Sequence, residues 1–155
     1  MVGVRDTRQR GGASVSLRDG RPSQIDELVL RLPADPEQVP VARRAVADFC
    51  ERCGMAAPVI DDVKLVVTEA CTNVVLHAYD SASGDARVFE VRAHLEPNVL
   101  ILTVSDQGRG IGAPSPNRGL GLGLRLALQL AGGVHTRDGG SGVGTRLTMR
   151  FALPD

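Results

Sequence analysis

The sequence predicts an α/β fold, a two-layer α/β sandwich in which a mixed sheet of about five strands carries about three helices on one face. Three observations predict it. Leu28, Leu30 and Leu32 alternate with Val29 and Arg31, and Val99 to Val104 is a short unbroken apolar run; both are strand signatures. The stretch from Ile60 to His77 is apolar around much of a helix and long enough to be one. Helices and strands do not alternate strictly along the chain, which argues for a sheet stacked under helices. The 155 residues, 43% of them apolar, suffice for one domain with a buried core.

The elements follow in order. Met1 to Gln24 holds five arginines, two aspartates and four glycines, with little that would enter a core. It is expected to be a disordered, arginine-rich arm at 1–24, ahead of a folded domain at 25–155. A plain tail and a contact for an acidic or nucleic-acid partner both fit its charge. The first strand is ended by Pro33. Asp35, Pro36 and Glu37 begin a helix that runs to about Cys53 and is stopped by Gly54. Pro58 opens a second helix lasting to about Tyr79, and Ser81 to Asp85 is a polar turn. Strands at Arg87–Leu95 and Val99–Ser105 are joined through Glu96, Pro97 and Asn98. A glycine- and proline-rich loop from Asp106 to Arg118 leads to a helix at about Leu120–Ala131. Strands at Val134–Arg137 and Thr145–Ala152 enclose a turn at Gly139–Gly144.

Composition excludes several functions. The 18 basic and 18 acidic residues cancel and only 3% of residues are aromatic, so the chain lacks both the field and the stacking surface of a nucleic-acid binder. No stretch is long and apolar enough to span a bilayer. The N-terminal arginines have no apolar signal core behind them, and three cysteines make no disulfide framework. A cytoplasmic protein is expected. Lys64 is the only lysine, and it sits in neither a Walker A loop nor a protein-kinase strand, so neither site can be built. Cys50 and Cys53 lie late in a helix, away from the dipole that lowers a thiol pKa, with no second ligand pair. With Cys71 they read as core or helix-surface residues.

Four pieces carry candidate chemistry. Glu69 and Asn73 are four residues apart on the second helix and share a face, with His77 one turn further on. Glu69 is either a surface residue bonded to Asn73 or the lining of a site. His77 reads alone as a satisfied core or helix-end histidine. Asp106 ends a buried strand and leads into Gln107, Gly108, Arg109 and Gly110. It either initiates a turn or accepts a hydrogen bond from an exocyclic amine such as adenine N6. Pro114 and Pro116 follow too soon for a dinucleotide-binding helix. Gly119, Gly121 and Gly123 open a helix, where free N–H groups and the helix dipole favour an anion, and Arg118 adds charge. Gly142, Val143, Gly144 and Thr145 enter the last strand, where a turn is the simple alternative. Arg43 and Arg44 on the first helix are solvated arginines or contacts for an acidic partner.

In this order the pieces resemble the ATP-binding domain shared by gyrase, Hsp90, histidine kinases and MutL, over about residues 26–153. Within that superfamily the stretch Glu69-Ala-Cys-Thr-Asn73-Val-Val-Leu-His77-Ala-Tyr79 and the stand-alone length look like the bacterial anti-sigma factor serine/threonine kinases. The resemblance implies a Bergerat-type ATP-binding fold and the following roles. Asn73 would ligate Mg²⁺ and bridge it to the ATP phosphates. Asp106 would read the adenine amine, with Gly108 and Gly110 letting the base approach. Arg118, Gly119, Gly121 and Gly123 would hold phosphates, and Thr145 would assist at the adenine. Glu69 would be the general base that takes the proton from a serine hydroxyl. The implied partners are an anti-anti-sigma factor as substrate and a sigma factor held inactive, and family members are commonly homodimers. One departure is that only Ile111 to Arg118 separates the adenine loop from the phosphate helix, a shorter lid than the family's. A non-catalytic, nucleotide-gated regulator of the same fold, or a detached ATPase module of a histidine kinase system, are the alternatives.

Overall fold

A computed structural model describes residues 27–79, 87–108, 129, 134–138 and 144–154. Its elements are β1 (Glu27–Pro33), α1 (Gln38–Arg52), α2 (Ala57–His77), β2 (Val88–Glu96), β3 (Val99–Asp106), β4 (Val134–Asp138) and β5 (Thr145–Ala152). Of the third helix expected at Leu120–Ala131, Gln129 alone is described, in helical conformation. The N-terminal arm and the loop from Arg109 to Arg118 lie outside the described residues.

The five strands form one sheet in the order β1-β2-β3-β5-β4. The expected mixed sheet is corrected here, because all four described pairings are antiparallel. The reason is topological. β3 and β4 run in the same direction, since Leu102 and Val134 both pair with Met149 and Asp106 and Asp138 both pair with Thr145. The β4–β5 hairpin then inserts β5 between them, so no parallel neighbours meet.

Strand periodicity sets the core. Leu28, Ala93, Leu102 and Met149 form one inward row across the sheet, and Leu30, Val91, Val104 and Leu147 form the next. All eight are buried under the helices. The opposite face is largely polar, with Ile101 buried among its charged side chains: Arg92 pairs with Glu90 and Glu27, and Thr103 faces Thr148 at 3.2 Å. Such exposed pairs add little stability, so the covered face supplies most of it.

α1 presents Val39, Ala42, Val46, Phe49 and Cys50 to the core at helical spacing. It ends in a Schellman arrangement. Gly54 takes the left-handed conformation at φ 73°, its N–H bonds to the Glu51 carbonyl, and Met55 N–H reaches back to Cys50. α2 has Pro58 in its first turn, where the missing N–H costs nothing. Its buried stripe runs through Ile60, Val63, Val67, Ala70 and Val74, and Cys71 is buried beside it. A helix apolar around much of its circumference is expected to be largely buried; one side is instead open, and the apolar Leu65 and Leu76 stand exposed on it.

Candidate functional site

The third inward row of the sheet is Leu32, Phe89, Asp106 and Thr145. Strand alternation therefore turns the Asp106 carboxylate toward the helices, at a position where the rows behind it hold Val104 and Leu102. Asp106 is only 8% exposed, the one buried charged residue among those described. Its Oδ1 accepts the Gly108 N–H at 2.8 Å, and the Thr145 backbone N–H also bonds to it. Burial pushes its carboxyl above the ordinary aspartate range, and these two N–H bonds offset part of that rise. A carboxylate has about four lone-pair directions, so two donors leave acceptor capacity for a further N–H.

The segment after Asp106 is gripped from both sides. A Cβ at Gly108 would stand 1.9 Å from the Ala78 carbonyl oxygen, at the C-terminal end of α2. A Cβ at Gly144 would stand 2.2 Å from the Asp106 carbonyl oxygen, and Gly144 also has φ 93°. Glycine is required at both places by backbone contact alone. The Tyr79 hydroxyl accepts the Gln107 N–H at 3.1 Å and donates to the Val88 carbonyl at 2.5 Å. The Arg87 guanidinium lies 5.9 Å from the centre of its ring.

Ala78 thus anchors the helix that carries Glu69 and Asn73 against the loop that carries Asp106. At 1.5 Å per residue, Asn73 lies about 7.5 Å and Glu69 about 13.5 Å back along the axis from Ala78. Both are half-buried beside the core stripe, and no hydrogen bond joins them among the described residues. His77 is half-buried one turn beyond Asn73, and Thr145 is half-buried opposite Asp106. Gly110, Arg118, Gly119, Gly121 and Gly123 lie outside the described residues. Cys50 and Cys71 are buried in the core, where burial pushes each thiol up to about 12, and Cys53 is half-buried. Arg43 and Arg44 are exposed and line a groove of about 560 Å³ between α1 and α2, together with Lys64 and Leu65.

Two residues of this end of the sheet have no role assigned from the sequence: Tyr79 closes the Glu69–Tyr79 stretch, and Gly144 belongs to the Gly-x-Gly-Thr element. The Gly-x-Gly-Thr spacing is the signal for Gly144; the hydrogen-bonding role of Tyr79 has none, because its partners lie 9 and 28 residues away.

The residues present suit Mg²⁺-ATP. A buried acceptor at Asp106 matches an exocyclic amine, and the Asn73 amide matches a cation that takes one protein ligand and completes its shell with phosphates and water. No group of three or more His, Cys, Asp or Glu forms a metal cage among the described residues.

Comparison with known proteins agrees with this architecture. The family profile described as "Histidine kinase-like ATPase domain" matches residues 32–151. The serine-protein kinase RsbW of Bacillus pumilus is 34% identical over 84 residues, 54% of this chain and 52% of that protein. The serine-protein kinase RsbW of Halalkalibacterium halodurans is 37% identical over 89 residues, 57% of this chain and 52% of that one. The chain spans about half the length of these curated relatives. Among solved structures, that of the RsbU and RsbW domains of a Mycobacterium tuberculosis protein superposes with a TM-score of 0.65. It is 21% identical, and the match covers 82% of this chain and 32% of that one, a likeness of fold.

Proposed function

We propose that this chain, which belongs to the histidine kinase-like ATPase domain family, is an anti-sigma regulatory factor that binds Mg²⁺-ATP and phosphorylates a serine on an anti-anti-sigma partner. Its activity would set how much sigma factor is free to direct transcription. The reading draws support from the similarity to serine-protein kinases RsbW. The observation that carries it is Asp106: a carboxylate in a core row, with acceptor capacity to spare, clasped to the helix that bears Asn73 and Glu69.

Each residue has a distinct task in this scheme. Asp106 accepts a hydrogen bond from the adenine amine, and the absence of side chains at Gly108 and Gly144 holds its backbone in place. Thr145, beside it on β5, contributes a hydroxyl to the same end. Asn73 presents its amide oxygen to Mg²⁺. Arg118 and the glycines Gly119, Gly121 and Gly123 meet the phosphates, and Gly110 gives the base room. Glu69, a turn beyond Asn73, takes the proton from the partner's serine hydroxyl as that oxygen attacks. Bound Mg²⁺-ATP supplies the transferable phosphoryl group and neutralises its developing charge. We further propose that the chain works as a homodimer in the cytoplasm, and that sigma factor and anti-anti-sigma factor are its two partners.

Calorimetric titration with ATP and Mg²⁺, run beside Asn73→Ala, tests the site. The wild type is expected to bind and the variant to lose most of that affinity. No binding at millimolar ATP would sink the reading. Glu69→Ala separates catalysis from capture: transfer to the partner serine is expected to fall about 10²–10⁴-fold while the partner is still retained. An equal loss of both would remove Glu69 from the base role.

A further inference from the structure

We infer that Tyr79 is a positioning residue for base recognition: its hydroxyl fixes the distance between the Asp106 loop and α2, and so sets selectivity for adenine. The inference rests on the nucleotide reading above. One oxygen joins three elements. It accepts a hydrogen bond from the backbone N–H of Gln107 at 3.1 Å and donates one to the carbonyl of Val88, and Tyr79 follows the last residue of α2 by two positions. Ala78 in turn presses its carbonyl into the space a side chain at Gly108 would need. The loop that follows the acceptor is therefore tied at two consecutive residues to the end of the helix that carries Asn73.

The two ties differ in kind. The Gly108 contact is repulsive and sets only a minimum separation. The Tyr79 bonds are attractive and directional, so they set the maximum. Gln107 itself is exposed and makes no core contact that could substitute. Without the hydroxyl the loop can move away from α2 while the sheet and the core stay as they are. The Gly108 N–H, which holds Asp106 Oδ1 at 2.8 Å, would move with the loop, and the carboxylate would lose its alignment with an amine whose phosphates are held elsewhere. Reading of the base should suffer and holding of the phosphates should not.

Tyr79→Phe removes the hydroxyl and keeps the ring under Arg87. Two measurements on the full chain decide the matter. Hydrogen exchange at the Gln107 amide is expected to speed up about tenfold in the variant, because its acceptor is gone. ATP binding is expected to weaken about tenfold while weaker GTP binding changes less than threefold, so the ATP-to-GTP preference falls. A residue that served stability alone would lower the melting temperature and leave that preference intact. Unchanged exchange, or faster exchange with an unchanged preference, overturns the proposal. If the wild type binds no ATP, the nucleotide reading fails, and the positioning role falls with it. Should Tyr79→Phe not fold, Gln107→Pro deletes the same donor from an exposed position and is expected to give the same loss of preference.

Discussion

At the scale of single residues, Asp106 is the costly one. An asparagine there would keep an oxygen for the Gly108 N–H and would escape the desolvation of a buried charge. The folded-state carboxyl titrates above its unfolded value, so the native state holds its proton more tightly. The penalty is therefore full above the raised value and disappears as pH falls below the ordinary value of 3.8. Asp106→Asn is expected to unfold at higher urea than the wild type near pH 7, with the gap closing toward pH 4. The same change puts an amide N–H₂ against the adenine amine, and ATP affinity should drop at least about tenfold. Gly108→Ala is expected to destabilise by about 1–3 kcal/mol or more, since its new methyl meets a backbone carbonyl that cannot rotate away. Asp106 and Gly108 were legible because a short acidic-glycine motif follows an apolar run. The contacts of Tyr79 and Gly144 were not, although both stand in legible motifs, because each acts on residues distant in sequence.

At the scale of elements, the caps and strands follow local chemistry closely. Gly54 has a left-handed φ and open space around its missing side chain, so Gly54→Ala should cost about 1–2 kcal/mol through conformation alone. ATP binding should be unaffected by it, in contrast to Gly108→Ala; denaturation and titration of both variants check the pair. Leu28, Leu30 and Leu32 announced β1, and Thr145–Ala152 is β5 to the residue. Asn98 closes the β2–β3 hairpin with φ 58°, as an asparagine in a turn can. The direction of the strands was another matter. Alternation says which face of a strand is buried and is silent about its neighbour, so a mixed sheet and an antiparallel one look alike until β5 is seen between β3 and β4.

At the scale of the whole molecule, a ligand that binds only the native state stabilises all of it. Mg²⁺-ATP at a hundred times its dissociation constant adds about 2.7 kcal/mol, which for a chain of this size is a rise of about 5–10 °C in melting temperature. Thermal scans are expected to show that rise for the wild type and none for Asn73→Ala; an equal rise in both would take the metal role away from Asn73. No helix among the described residues is long and apolar enough to cross a membrane. The strand order has a consequence for synthesis. β5 is fifth to leave the ribosome yet lies fourth across the sheet, bonded to β3 on one side and β4 on the other. Until it arrives, a nascent chain can assemble β1, β2, β3, α1 and α2, but β3 must wait with one edge bare. That waiting edge runs through Leu100, Leu102 and Val104, an apolar strand open to any neighbour that offers a ladder. A released chain truncated after residue 138 should therefore aggregate more than one that runs through residue 154.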